Sequence, residues 1–232
     1  MTEGETDYKS NEIGQAHNKQ ESQRRILFKF IDSPVKFLIK HNVSPNMLSF
    51  FGFLFSLISA IFIGFGGLHF SFWLGWIGPF FFFWTGAFDV FDGEVARRTK
   101  QNSKAGAFLD SNLDRLSDAA IIIGMVFGNL INYLVGYILI FLVIMISYIR
   151  AKAESEGLEM RGIGIMERAE RVIALFFFFI AEVWAYFLTN LIFGTPSPLF
   201  SQIFIVIFMV LCLYTVIQRF TYSYKSLSKN DN

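Results

Sequence analysis

The sequence predicts an all-α integral membrane protein, with six transmembrane helices preceded by a cytoplasmic amphipathic surface helix, and three observations carry that expectation. First, the 232 residues are 53% hydrophobic and include 30 phenylalanines, with a mean hydropathy of +0.46. That is too apolar for a water-soluble domain. Second, six stretches approach the length of apolar chain that a bilayer-crossing helix needs: 46–66, 70–90, 108–128, 133–148, 172–193 and 199–220. Third, the cations alternate with the connections. Segments 66–69, 129–133 and 193–198 contain neither Lys nor Arg, whereas the N-terminal segment, 97–104, Arg115, 150–171 and the residues from Arg219 onward hold the positive charge. Positive charge stays on the cytoplasmic side, so both termini are expected there.

Taken in order, residues 1–25 are polar and lack the apolar stretch of a signal peptide, which predicts a disordered cytoplasmic tail. A membrane domain is expected over 26–220 and a short cytoplasmic tail over 221–232. Ahead of the first span, Leu27, Phe30, Ile31, Val35 and Leu38 recur at helical spacing, with Arg25, Lys29, Asp32, Lys36 and Lys40 on the other face. That pattern describes a helix lying on the membrane surface, with a kink or two short helices expected at Pro34. Cys212 is the only cysteine, which excludes a disulfide framework or a cysteine-based metal site. The net charge is +1, and no lysine-rich block or basic recognition helix points to nucleic acid. Gly124 and Gly128 form a small-residue pair that could pack helices within one chain or between two.

Most charges avoid the spans, so the exceptions carry information. Asp89, Asp92, Glu94, Arg97, Asp110, Asp114 and Asp118 gather at the cytoplasmic ends of the second and third spans. Ionisable residues at that depth point to function. Asp89 and Asp92 share one helical face, as do Asp110 and Asp114, and the intervening hairpin can bring the two pairs together. Four converging carboxylates repel unless cations lie between them. Ligands that are all oxygen favour Mg²⁺, Mn²⁺ or Ca²⁺ over zinc, and four acids suffice for two ions about 3.5 to 4 Å apart. Gly93 and Gly106 allow close approach of a ligand or a helix, and Arg97, Arg98, Lys100 and Lys104 bring positive charge near a phosphate. Metal with a nearby arginine suits phosphoryl transfer. The alternative, acids pairing with Arg and Lys at a helix end, stays open on these arguments alone, as does a divalent-cation transporter, although no acidic path leads to the other side.

Asp89, Asp92, Gly93, Ala96, Arg97, Gly106, Asp110 and Asp114 reproduce the pattern D-x2-D-G-x2-A-R-x8-G-x3-D-x3-D. In this the chain resembles the CDP-alcohol phosphatidyltransferase family, over roughly residues 26–220. The resemblance implies a transferase that moves a phosphatidyl or archaetidyl group from CDP-diacylglycerol or CDP-archaeol to an alcohol and releases CMP. It implies Asp89, Asp92, Asp110 and Asp114 as ligands of Mg²⁺ or Mn²⁺, two ions per site, with Asp114 also the general base. It implies Gly93, Ala96 and Arg97 at the cytidine diphosphate, and a homodimer. Pro45, Asn46 and Ser49 resemble the family's Pro-Asn element beside the nucleotide, while helix capping by Ser44 explains the same residues equally simply. Asp118 lies outside the pattern, and a structural or solvated role is expected for it.

For the acceptor, Ser147, Arg150 and Lys152 leave the fourth span together and could hold a phosphate, or could simply satisfy the positive-inside rule. The stretch 147–154 followed by 167–171 resembles the branch of the family that makes inositol-phosphate lipids. That resemblance implies inositol 1-phosphate as acceptor, bound by Ser147, Arg150 and Lys152 with Arg219 as a further ligand. Glycerol 3-phosphate, serine or inositol are the alternative acceptors.

Overall fold

The structure, a computed structural model, describes residues 31–101, 103–160 and 162–230, with side chains to 228. The expected N-terminal tail and the Leu27 and Phe30 part of the amphipathic pattern lie outside the described residues. Residues 31–40 form α1. It is followed by α2 (Pro45–Gly64), α3 (Ile77–Thr99), α4 (Lys104–Phe127), α5 (Tyr133–Ser155), α6 (Arg168–Phe193) and α7 (Leu199–Asn230). Among the described residues five helical stretches are long and apolar enough to cross a membrane, which makes this a multi-pass membrane protein. The exception among the long helices is α4, whose first two-thirds carry Asp110, Asp114, Arg115 and Asp118.

Helix ends follow local chemistry. Ser44 caps α2 by accepting from the Met47 amide, with Pro45 fitting the first turn where no N–H is needed. Ser103 accepts from the Gly106 amide at the start of α4, and Asn132 accepts from the Val135 amide at the start of α5. Lys100, in the left-handed conformation at φ 55°, ends α3, and Gly194 ends α6 in the same conformation.

Three expectations change. The second span runs from Leu74 to Thr99 rather than from residue 70: its first turn, Leu74–Trp76, is 3-10 and leads directly into α3, and a separate 3-10 turn, Gly67–His69, precedes it. There the His69 ring stacks on Tyr186, its Nε2 lies 3.1 Å from buried Glu182, and Phe72 meets Trp184 edge-on. Residues 31–40 form one helix through Pro34 in place of two short ones within that range, and Val35 is sealed against Leu48 and Val95, with Ile31, Leu38 and Ile39 packed around them. Finally, the helix of the last expected span, 199–220, runs further, α7 continuing past Phe220 to Asn230.

At the centre of the bundle, α2 packs along both α3 and α4, α5 packs along α4 and α7, and α6 closes against α3. Phe82, Met125, Leu139, Ile146, Phe178 and Phe179 belong to the buried core that joins these helices. Lipid offers no hydrophobic drive toward association, so fit decides the contacts. A Cβ on Gly124 would collide with the Ala60 carbonyl and one on Gly128 with the Ile63 carbonyl. The glycine pair therefore seats α4 on α2 within the chain. Large apolar side chains such as Phe65, Phe127, Leu191 and Phe193 face outward.

Candidate active site

The α3–α4 hairpin sets its acids on two facing helix surfaces. Carboxylate oxygens of Asp89, Asp92 and Asp110 all lie within 4.8 Å of one another. Hard divalent cations sit about 2.0 to 2.6 Å from their oxygen ligands, so ligand oxygens around one ion are separated by up to roughly twice that distance. The three carboxylates fit such an ion, and their oxygen-only chemistry suits magnesium or manganese rather than zinc. Ser49, on α2, donates to Asp92 Oδ2 at 2.6 Å and lies buried beside it. A residue expected at the nucleotide thus also fixes an acid.

Asp114 stands one turn beyond Asp110 and is engaged differently. Its Oδ1 lies 2.8 Å from Nη2 of Arg168, whose Nη1 pairs with Asp89. Arg168, at the start of α6, belongs to the stretch 167–171 but carries no site role in the sequence, where it reads as one more cation at a helix end. Its partners stand 79 and 54 positions away in the chain, and no local pattern could reveal them.

Next to the acids, a hollow of about 240 Å³ opens between α2, α3 and α4. It gathers Asn46, Ser49, Gly93, Ala96 and Arg97, with Asp92 and Asp110 at its edge. A Cβ on Gly93 would find nothing nearer than Arg97 Nη1 at 3.9 Å, so packing does not demand the glycine and the space above it is open. Gly106 is tighter, with Asn46 Oδ1 3.1 Å from the position of a Cβ. Arg97 reaches back to Glu94 through Nε at 3.1 Å and Nη2 at 2.7 Å, and Arg98 joins the same carboxylate to Asp32 of α1.

A second cavity, of about 300 Å³, lies between α4, α5, α6 and α7. Ser147, Arg150 and Arg219 line it, together with Arg115, Arg168 and Arg171. Arg150 pairs with Glu154 at 2.9 Å and is substantially exposed. Arg219 is buried and donates to the Ile163 carbonyl at 2.6 Å, the Ile146 carbonyl at 2.9 Å and Glu167 Oε1 at 3.1 Å, so it ties α7 to α5 and to the loop before α6. Asp118 and Arg171 form a buried pair at 2.6 Å, in keeping with a structural role for Asp118.

Lys152 is not brought to this cavity. It lies on another face of α5, in a hollow with Tyr148, Phe220 and Tyr224, and pairs with Glu156, whose carboxyl it holds below the ordinary range. Successive helical residues are about 100° apart, so positions 150 and 152 cannot face the same way.

The family model for CDP-alcohol phosphatidyltransferases matches residues 42–222, a range that includes every acid of the site. The chain belongs to the CDP-alcohol phosphatidyltransferase family. It is a membrane transferase, which replaces the transport reading. An archaetidylinositol phosphate synthase of Methanothermobacter thermautotrophicus is 41% identical over 143 residues, 62% of this chain and 67% of that protein. A phosphatidylinositol phosphate synthase of Streptomyces avermitilis is 34% identical over 190 residues, 79% of this chain and 73% of that protein. The fold is that of the Mycobacterium tuberculosis phosphatidylinositol phosphate synthase solved with manganese and citrate, at a TM-score of 0.68 and 24% identity over 83% of this chain and 88% of that one.

Proposed function

We propose that this CDP-alcohol phosphatidyltransferase transfers a phosphatidyl or archaetidyl group from CDP-diacylglycerol or CDP-archaeol to inositol 1-phosphate, releasing CMP. The observation that carries the reading is that Asp114 lies on the wall shared by the arginine-lined cavity and a narrow carboxylate cleft among Asp89, Asp92, Asp110 and Arg168, a cleft that in turn shares Ser49, Asp92 and Asp110 with the hollow above Gly93. A base at that wall can reach a hydroxyl held on one side and a diphosphate held on the other. The names of the relatives support inositol phosphate as acceptor.

In this reading the hollow above Gly93 and Ala96 takes the cytidine diphosphate, with Asn46, Ser49 and Arg97 around it, and the lipid chains remain in the bilayer. Asp89, Asp92 and Asp110 hold divalent metal, and Asp114 completes the set. When bound, Mg²⁺ or Mn²⁺, two ions per site, neutralises charge on the diphosphate and on the departing CMP phosphate. Ser147 and Arg150 hold the acceptor phosphate, with Arg219 fixing the cavity wall. Asp114 takes the proton from the acceptor hydroxyl as its oxygen bonds to the lipid-side phosphorus and the bond from that phosphorus to the CMP oxygen breaks.

Around this site we place α4 as a sixth membrane-spanning helix, α1 on the cytoplasmic surface, and both termini and the site in the cytoplasm, as the charge distribution supports. The membrane domain covers 26–220. A homodimer is also proposed, on family resemblance alone, because Gly124 and Gly128 are taken up by α2 of the same chain.

The test is CMP release by the purified protein with Mg²⁺ or Mn²⁺ and each CDP-lipid, with inositol 1-phosphate, inositol, glycerol 3-phosphate or serine supplied separately. Release dependent on inositol 1-phosphate is expected. Release with another acceptor alone keeps the chemistry and replaces the substrate.

A further inference from the structure

Arg168 has a position that its two ion pairs alone do not account for. Its guanidinium bridges Asp89 and Asp114, one from each helix of the acidic hairpin, and Asp114 and Arg168 are the side chains that line both the carboxylate cleft and the arginine-lined cavity. Its Nε is buried and without a hydrogen-bond partner among the described residues, so the fork is not saturated where it sits. Within the same cavity stand Arg115, Arg150 and Arg171, facing Asp114, Asp118, Glu154 and Glu167.

We propose that Arg168 is a positioning residue that couples anion binding in the cavity to cation binding by the acids. The proposal rests on the functional reading above. The physical case is competition for one guanidinium. While Arg168 bridges Asp89 and Asp114, it supplies the positive charge between them and withholds two carboxylates from any other cation. A phosphate entering the cavity offers the fork two oxygens in bidentate geometry, a better-matched partner than two separate acids. Arg168 turns toward it, and Asp89 and Asp114 become available together. By thermodynamic linkage, a cation held by the acids then raises the affinity of the cavity for the anion by the same factor. Asp114 is thereby kept ion-paired until an acceptor phosphate is present, which keeps the base from activating water in an otherwise loaded site.

The experiment is a Mn²⁺ titration of the full-length protein in nanodiscs, followed by the electron paramagnetic resonance signal of free Mn²⁺, with and without sulfate or inositol 1-phosphate. Sulfate probes the cavity whatever the acceptor is. In the wild-type protein either anion is expected to tighten Mn²⁺ binding about tenfold. Arg168→Gln is expected to bind Mn²⁺ tightly without any anion and to lose the anion dependence. Arg168→Lys, which keeps the charge, is expected to retain part of that dependence, and it guards against a glutamine variant that fails to fold. Equal Mn²⁺ affinity in wild type and Arg168→Gln, or an anion effect that survives in Arg168→Gln, overturns the coupling. A wild-type protein whose Mn²⁺ affinity ignores both anions overturns it as well. CMP release by the wild-type protein in the same nanodiscs tests the functional reading separately. Coupling by sulfate without release from inositol 1-phosphate upholds the role of Arg168 and removes that acceptor.

Discussion

The Ser49 hydroxyl of α2 donates a 2.6 Å hydrogen bond to the Asp92 carboxylate of α3, so a helix that contributes no acid determines where one of the acids points. Ser49→Ala should leave the protein folded and lower metal affinity roughly tenfold to a hundredfold, as losses of ligand-orienting partners do. Metal dependence of CMP release measures this. A variant that requires no more metal than the wild type removes Ser49 from that role.

Asp114→Asn keeps the size of the side chain and removes its basicity. Turnover should fall roughly a hundredfold to ten-thousandfold, while CDP-lipid binding persists. Equilibrium binding of CDP-lipid beside single-turnover CMP release separates the two effects, and normal turnover ends the assignment.

Glycines in this protein divide by what surrounds them. Gly93→Ala adds a Cβ that meets nothing nearer than Arg97 Nη1 at 3.9 Å, so thermal stability should hold while the KM for CDP-lipid rises. Gly124→Val would drive a side chain into the Ala60 carbonyl. It should cost about 1 to 3 kcal/mol of stability. Melting curves in detergent distinguish the pair, and a Gly93 variant that melts early places that glycine in packing.

Arg150→Ala should raise the KM for the acceptor about tenfold or more, since it removes a charge-assisted phosphate contact. Lys152→Ala, on the other face of α5, should change it by less than about twofold, because exposed ion pairs contribute little. Equal effects from the two substitutions would return Lys152 to the pocket.

Hydrogen bonds from Lys36 and then from Arg98 hold the Asp32 carboxyl below its ordinary value of 3.8. A lowered folded-state pKa means that the contact supports docking of α1 above the ordinary value and is lost as pH falls through the lowered one. Hydrogen exchange over residues 31–40 should therefore be slower in wild type than in Asp32→Asn at neutral pH. The difference should shrink as pH falls below that ordinary value and through the lowered one. A difference that persists in acid means that the ion pair does not hold α1.

The convergence of the acids was legible because it follows from their spacing along two helices. Asp89 with Asp92, and Asp110 with Asp114, each share a face, and one hairpin joins them. The same arithmetic tells against pairing Arg150 with Lys152, and charge alone concealed it. Arg168 was illegible for the opposite reason, since its meaning depends on acids in two other helices. Residues 70–73 read as membrane span because composition cannot distinguish a helix in lipid from a connection that follows a 3-10 turn fastened by His69 and Glu182.

The contact of Gly124 and Gly128 with α2 also acts as a fulcrum. Ala60 stands 11 residues beyond Ser49 along α2, and Asp110 stands 14 residues before Gly124 along α4. Those are arms of about 16 and 21 Å at the helical rise per residue. A shift of the pivot is magnified along such arms, so the gap between Ser49 and the α4 acids is governed from the far end of the bundle. A screen for lost activity will return these two glycines together with the aspartates, although neither lies within reach of a substrate.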